Sequence, residues 1–453
     1  MSFFLTKVLA ALEDGGDRPL FHDDRVGVTT YHQARDRLRR LHGGLRRTGT
    51  VAIDLRNRPE TVLVQLAALL RGATALMVPA SAPTRDRLAA AAGAAVVTDR
   101  PCDWPGADTR TLDDLDGDPE PLDPPETVHL LFPTGGTTGT PKLIRHSGIY
   151  DGMAHIFTPN PDAPGRTLLV APMTHMTGNA TVLGTLLRRE TVFIHDGFDA
   201  GAVLDAIQEH RIDTLSLTPP RLAAVLDHPR RKNTDLSSVR SLSLGAAPLP
   251  PHRLAQALDV FGPVVGQGYG LTEAPMIASI SAAELIARPE LRSSVGRIVP
   301  GMEARITADG EVEVRGLSMM DGYLGGPDVG AGWLRTGDLG RFDDDGYLYL
   351  LDRADDVVVT GEHGTKVPTT VVEHALETHP AVRSAAVFGQ GDLLHAVVVT
   401  TGEVTEGDLR AHAKAIFDQD HYVPARVDFV DALPLTDVGK VDKRALAQLV
   451  TAP

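Results

Sequence analysis

The sequence predicts an α/β protein. It reads as a large N-terminal domain of βαβ units in parallel sheets with a small antiparallel β subdomain, followed by a smaller α+β C-terminal domain. Three observations predict this. Short apolar runs alternate with helix-length amphipathic stretches between residues 50 and 261, which is the pattern of βαβ units. Two Asp-Gly pairs, Asp309-Gly310 and Asp345-Gly346, each sit between β-type segments and signal hairpins. From about residue 357 strands and helices return in mixed order, as a separate α+β unit would have them.

Each element follows from its residues. Phe4, Val8, Ala11 and Leu12 share one face of a short N-terminal amphipathic helix. Thr30 suits the cap of a helix from Tyr31 to about Arg46, and strand 51–55 follows. Pro59 suits the first turn of a helix reaching Arg71. Strand 75–78, a helix from Arg85 and strand 95–97 continue the alternation. Residues 99–127 are rich in Pro, Asp and Gly and read as an irregular connector. Beyond residue 166 the pattern predicts strands at 167–170, 191–194, 214–217 and 241–244, with helices at 177–187, 200–210, 220–226 and 251–261. In the C-terminal part, helices are expected at 370–378, 406–417 and 443–450, and strands at 385–388, 396–399 and 427–430.

Composition excludes several classes. Hydrophobic residues make up 42% and charged residues 23% of 453 positions, ordinary for a soluble globular protein. The net charge of -15 argues against a nucleic-acid partner, which calls for a basic patch. The one cysteine, Cys102, rules out an internal disulfide and fits a cytoplasmic location; its acidic surroundings do not favour a thiolate. The N-terminal stretch is too short and interrupted for a signal peptide, and no apolar run reaches membrane length, so no membrane partner is expected. The histidines show no metal-ligand spacing along the chain, so zinc is not expected.

The most telling stretch is Thr134-Gly135-Gly136-Thr137-Thr138-Gly139-Thr140-Pro141-Lys142, after the apolar run 129–132. Its glycines allow a tight turn with N–H groups free to point at an anion, and its threonines and lysine add donors and charge. It suits a polyphosphate, although such a loop by itself also suits a plain surface turn. It is not a Walker A loop, because Pro141 precedes Lys142 and Leu143 follows it. Downstream come Tyr269-Gly270-Leu271-Thr272-Glu273, Gly332-Trp333-Leu334-Arg335-Thr336-Gly337-Asp338, Asp352-Arg353-Ala354-Asp355-Asp356 and Pro434-Leu435-Thr436-Asp437-Val438-Gly439-Lys440. In this order and spacing the five stretches resemble the adenylate-forming superfamily: acyl-CoA synthetases, adenylation domains of nonribosomal peptide synthetases, and luciferases. The glycine-rich loop is most similar to that of aryl-acid-activating members.

The resemblance implies an ATP-dependent, AMP-forming acid ligase. A small carboxylic acid, aryl or short and hydrophobic, would attack the α-phosphate of ATP, and the acyl group would then pass to a pantetheine thiol on CoA or a carrier protein. An amine acceptor giving an amide, and a non-catalytic nucleotide-binding regulator, are the alternatives. By the same resemblance Thr134, Gly136, Thr137, Thr138 and Lys142 cradle the β- and γ-phosphates. Thr272 contacts the α-phosphate, and Glu273 holds Mg2+, a cation satisfied by one or two carboxylates plus phosphate oxygens. Asp338 takes the ribose hydroxyls, Arg353 faces ribose or phosphate, Tyr269 stacks on adenine, and Ala246 borders it. His175, Met176, Gly245 and Gly268 line the acid pocket. Lys440 is the catalytic lysine. Asp355 matches the hinge between a core of residues 1–354 and a mobile C-terminal domain, 355–453. Two departures stand out: the part before the hinge is shorter than in many relatives, and the loop from Gly361 to Pro368 lacks the glycine pair usual in CoA ligases.

Overall fold

The computed structural model describes all residues except 46–48, 81, 83, 134–141, 161–163, 361–364, 437 and 452–453, and the side chains of 84, 85, 102, 444 and 449–451. Helix α1 (Phe3–Gly15) buries the expected face through Phe4, Val8, Ala11 and Leu12. The hairpin β1 (Pro19–Asp23) and β2 (Gly27–Thr30) leads into α2 (Tyr31–Gly44). Thr30 closes a full capping box there: its side chain accepts from the Gln33 amide while Gln33 reaches back to the Thr30 N–H. Next come β3 (Thr50–Asp54), α3 (Pro59–Leu70), β4 (Thr74–Met77), α4 (Thr84–Ala90), β5 (Ala95–Thr98) and β6 (Thr109–Arg110). Strand β6 lies in the stretch expected to be an irregular connector; it is only two residues long, too short for a periodic signal.

Strands β7 (His129–Pro133) and β8 (Leu143–His146) pair antiparallel across the glycine-rich loop. Then follow α5 (Ile149–Ile156), β9 (Arg166–Leu169), α6 (Met176–Leu187), β10 (Thr191–Ile194), α7 (Ala200–His210), β11 (Thr214–Leu217), α8 (Pro219–Asp227), β12 (Ser241–Gly245) and α9 (Pro251–Phe261). The hairpin β13 (Val265–Leu271) and β14 (Ala274–Ile280), α10 (Ala282–Ala287) and β15 (Arg297–Ile298) complete the first body. A four-stranded antiparallel sheet joins β16 (Met302–Ile306), β17 (Glu311–Gly316), β19 (Leu334–Phe342) and β20 (Leu348–Arg353), with β18 (Gly322–Tyr323) leaving it to pair with β8. Both Asp-Gly hairpins form where expected, with Gly310 at φ 89° and Gly346 at φ 80°.

Two large sheets dominate, of nine strands (β15-β14-β13-β12-β11-β9-β10-β1-β2) and seven strands (β18-β8-β7-β4-β3-β5-β6). Their centres are parallel, as expected, but their edges are not: β2, β14 and β15 in one and β8 and β18 in the other run antiparallel to their neighbours. Helix α3 packs on β3 and β4 and also on α6, which packs on β9 and β10. It is thus enclosed between the two sheets, and every residue from Thr61 to Leu70 is buried. A helix apolar all round belongs in such a place.

The C-terminal part consists of the hairpin β21 (Val358–Thr360) and β22 (Thr365–Val367), α11 (Thr369–Glu377), β23 (Val382–Gln390), β24 (Leu393–Thr400), α12 (Glu406–Phe417), β25 (Arg426–Phe429) and α13 (Lys443–Thr451). It has its own core, centred on Val372, Leu376, Val387, Val398 and Leu409. Contacts at α9 and at the end of β20 help tie it to the larger part. Arg253 of α9 donates to the Arg383 carbonyl of β23 at 3.0 Å while paired with Asp227 at 2.7 Å. Asp352, buried at the end of β20, accepts from four donors at the start of α11: the N–H and hydroxyl of both Thr369 and Thr370. Pro368 at the N-cap position has no side chain to do this, so Asp352 supplies the cap.

Candidate active site

Thr272 and Glu273 form the tight turn between β13 and β14, where Leu271 pairs with Ala274; they do not cap a helix. Two neighbours hold this turn. His146 of β8, buried, donates from Nε2 to the Thr272 carbonyl at 2.8 Å. Burial lowers its pKa, so it does this as a neutral imidazole. Tyr323 of β18 donates its hydroxyl to Glu273 Oε1 at 3.1 Å. Burial and then the Glu273 charge push the Tyr323 phenol up to about 12. The Lys142 ammonium lies 5.0 Å from the centre of the Tyr323 ring, a cation–π distance. Lys142, Tyr323 and the Thr272–Glu273 turn therefore share one locus. Thr134, Gly136, Thr137 and Thr138 lie outside the described residues.

A second group lies where β13 meets the four-stranded sheet. Asp338 and Arg353 are register partners across β19 and β20, and Arg353 donates to Asp338 Oδ1 at 3.0 Å. Tyr269 donates its hydroxyl to the other oxygen, Oδ2, at 2.5 Å. Burial, then Asp338, raise the Tyr269 phenol far above its ordinary value. For Arg353, burial favours the neutral form, but the Asp338 carboxylate outweighs it and the pKa rises. Gly337, at φ 76°, lies against this pair, and a Cβ there would sit 2.8 Å from an Arg353 nitrogen.

Lys440 comes to the same place from the C-terminal part. Thr218, just before α8, donates its hydroxyl to the Gly439 carbonyl at 3.1 Å. Gly439 is at φ 78°, and a Cβ on it would lie 2.7 Å from Arg221 Nε and 2.8 Å from Thr218 Oγ1. Lys440 as a residue is exposed, and Arg353, Asp338 and Glu273 act on its ammonium group electrostatically. Burial lowers its pKa, Arg353 adds to this, and the two carboxylates oppose it.

Gly245 and Gly268 are partners across β12 and β13, and a Cβ on Gly245 would sit 2.6 Å from the Gly268 carbonyl oxygen. Ala246 follows at φ 68°, a left-handed conformation that is uncommon outside glycine. An open groove of about 310 Å3 runs over β12, β13 and β14, lined by Ser243, Gly266, Gly268, Met276 and Ser279 among others. His175 and Met176 do not line it. His175 stands at the N-cap position of α6 and Met176 is buried. The loop before them is pinned by Asn57, whose side chain donates to the Ala171 and His195 carbonyls at 3.0 Å and accepts from the Met173 N–H at 2.8 Å. Asp355 is exposed in the turn after β20.

Sequence reasoning passed over His146, Asn57 and Tyr323. The signal for Tyr323 was faint, because β18 has two residues and its partners are remote in the chain. As to a cation, the Glu273 carboxylate beside Lys142 and Tyr323 is a donor of the kind Mg2+ takes, with the remaining positions left for phosphate and water oxygens. Among the described residues no helix is long and apolar enough to cross a membrane.

Comparison with known proteins agrees with this geometry. The AMP-binding enzyme family matches residues 10–324, and the AMP-binding enzyme C-terminal domain matches 371–440. A medium/long-chain-fatty-acid–CoA ligase of Mycobacterium tuberculosis is 35% identical over 71% of this chain, and the match spans 61% of that ligase. A 4-coumarate–CoA ligase of Oryza sativa subsp. japonica is 32% identical over 95% of this chain and 89% of its own length. Among solved structures, an amide bond synthetase from Marinactinospora thermotolerans superposes with a TM-score of 0.85 at 29% identity, covering 99% of this chain and 100% of that one. The chain belongs to the AMP-binding enzyme family and has the fold of the adenylate-forming enzymes.

Proposed function

We propose that this member of the AMP-binding enzyme family is an ATP-dependent, AMP-forming carboxylic acid ligase. The observation that carries the reading is the Thr218–Gly439 hydrogen bond, which docks the loop of Lys440 on the larger part, where Arg353, Asp338 and Glu273 act on the Lys440 charge. A carboxylate oxygen of the acid attacks the α-phosphorus of ATP, the bond to the β-phosphate bridging oxygen breaks, and pyrophosphate leaves. Phosphoryl chemistry of this kind needs positioning and charge neutralisation more than covalent help.

Each residue has a part in this. Lys142, with Thr134, Gly136, Thr137 and Thr138, faces the β- and γ-phosphates. The Thr272 hydroxyl donates to the α-phosphate, and Tyr323 and His146 fix the turn that carries it. Glu273 holds Mg2+, which would supply charge neutralisation on the phosphate oxygens. Asp338 takes the ribose hydroxyls in exchange for the Tyr269 hydroxyl or the Arg353 guanidinium, and Tyr269 and Ala246 border the adenine. Lys440 neutralises charge on the α-phosphate and on the attacking oxygen together.

The acid lies along the groove lined by Gly266 and Gly268, whose strand partner is Gly245, where the lack of side chains leaves room for an aryl ring. The second step passes the acyl group to a pantetheine thiol, of CoA or a carrier protein: the sulfur attacks the acyl carbon, AMP departs and the thiol proton is released. Relatives named as CoA ligases support this acceptor. The structural likeness to an amide bond synthetase supports an amine instead. We place the boundary between the moving parts at residues 354 and 355, with Asp355 as the hinge.

The test is acid-dependent pyrophosphate release from ATP with a panel of aryl and short aliphatic acids. Mass spectrometry of the products after adding CoA or primary amines then identifies the acceptor. Absence of acid-dependent pyrophosphate release across the panel would sink the ligase reading in favour of a non-catalytic nucleotide binder.

A further inference from the structure

At the far side of the nine-stranded sheet, three groups unused by the ligase chemistry come together. His22 lies on β1 opposite Phe193 of β10, and Asp24 stands in the turn that follows β1. His210, the last residue of α7, stacks on Phe193 with centroids 4.9 Å apart and meets the His22 ring edge-on at 4.7 Å. One ligand atom from each of His22, Asp24 and His210 lies within 4.8 Å of the others. His195 stands beside them, two residues beyond Phe193, where Asp24 and His210 act on it electrostatically. We propose that His22, Asp24 and His210 form a site for one divalent transition metal of the zinc type.

The donor set argues for the class of ion. Mg2+ and Ca2+ are bound through oxygen, whereas two imidazoles and a carboxylate match the ligands of zinc and its first-row neighbours. Zinc bonds of about 2.0–2.2 Å to nitrogen and oxygen set ligand atoms roughly 3.4 Å apart around a tetrahedral ion. The donors already lie within 4.8 Å, and Asp24 is exposed while both histidines are half-buried, so side-chain rotation closes the gap. Three protein ligands leave a fourth position for water. Spacing along the chain is blind to this set, because β1 and the end of α7 are joined only by the fold.

The site is structural in effect. It fastens the β1–β2 hairpin, at one edge of the sheet, to α7. In strand order β1 is the fifth neighbour from β13, which at about 4.8 Å per strand puts it roughly 24 Å from the Thr272–Glu273 turn. Zinc there stands apart from ATP, and the experiment below does not depend on the ligase reading.

The full chain, stripped with a chelator, is titrated with Zn2+, and with Co2+ as a spectroscopic probe. One equivalent is expected to bind, with visible Co2+ absorption bands of a four-coordinate site and a rise in thermal midpoint. His22→Gln and His210→Gln should each lower the affinity at least ten-fold without moving the metal-free midpoint by more than a few degrees. Asp24→Asn changes an exposed turn residue and so serves as the variant that leaves packing untouched; it too should weaken binding several-fold. Zinc held no more tightly by the wild type than by Asp24→Asn and His210→Gln would show adventitious binding elsewhere and overturn the site. The site is equally overturned if no equivalent of either metal binds, which would leave the two imidazoles and the carboxylate packed without an ion.

Discussion

Gly439→Ala is expected to separate the two half-reactions. The residue sits at φ 78°, and the added methyl would lie 2.7 Å from Arg221 Nε and 2.8 Å from Thr218 Oγ1. Arg221 has little room to withdraw: it is buried and donates to the Val170 carbonyl at 3.3 Å. The loop carrying Lys440 has to lift. Holding alanine in the left-handed region costs about 1–2 kcal/mol. Losing the Thr218–Gly439 hydrogen bond adds about 0.5–1.5 kcal/mol. The strain is carried in both arrangements of the loop, so the hydrogen bond alone is lost from the docked one, and at 1.36 kcal/mol per decade its loss slows adenylate formation by about two- to thirteen-fold. Acid-dependent ATP–pyrophosphate exchange measures that step. Consumption of supplied acyl-AMP by the acceptor measures the second, which should stay within about two-fold of wild type because the contact belongs to the docked loop alone. The thermal midpoint should fall by no more than about 4 °C, since only the backbone strain is felt throughout. Equal loss in both half-reactions, or unaffected exchange, would refute this role for the Gly439 contact.

Lys440→Ala should lower pyrophosphate release by roughly a hundred-fold or more, the scale for removing a preorganised charge, while supplied acyl-AMP is still consumed. Normal release with failed transfer would give Lys440 the opposite role. Asp355→Pro fixes φ at the proposed hinge, so near-normal pyrophosphate release with slow acyl transfer is expected; single-turnover kinetics of each step decide it. Glu377 of α11 is pushed up to about 8 by burial, against the opposing Ala385 N–H, with Glu373 raising it further and Arg253 lowering it. A carboxyl raised above its unfolded value of 4.5 gives stability that is full below that value and is lost as pH rises through about 8. Glu377→Gln should therefore match the wild type near pH 5 and gain on the order of a few kcal/mol above pH 8, read from denaturant midpoints at both pH values.

Much of the fold was legible because its signals are local. Thr30 with Gln33, Pro59 at the start of α3, and both Asp-Gly turns each declare an element within a few residues. The antiparallel edges were not legible. The β13–β14 turn is Thr272-Glu273, which carries none of the glycine or asparagine that marks a hairpin, and β8 has only four residues. The site divides the same way. Lys142, Thr272, Glu273, Asp338, Arg353 and Lys440 stand in stretches with recognisable order, whereas Tyr323, His146 and Asn57 act through partners more than a hundred residues away or from a two-residue strand. His175 and Met176 sit at a helix start beside the Asn57-pinned loop.

The cap that Asp352 places on α11 bears on timing. A rotation about Asp355 that carries α11 away from β20 must strip two backbone N–H groups and two hydroxyls from one carboxylate. The donors share two oxygens, so releasing them piecemeal leaves a buried charge short of partners, the costliest intermediate available. Such a swing would act as a two-position switch with a threshold rather than a loose swivel. Its waiting time would set the interval between the two chemical steps and shorten steeply on warming.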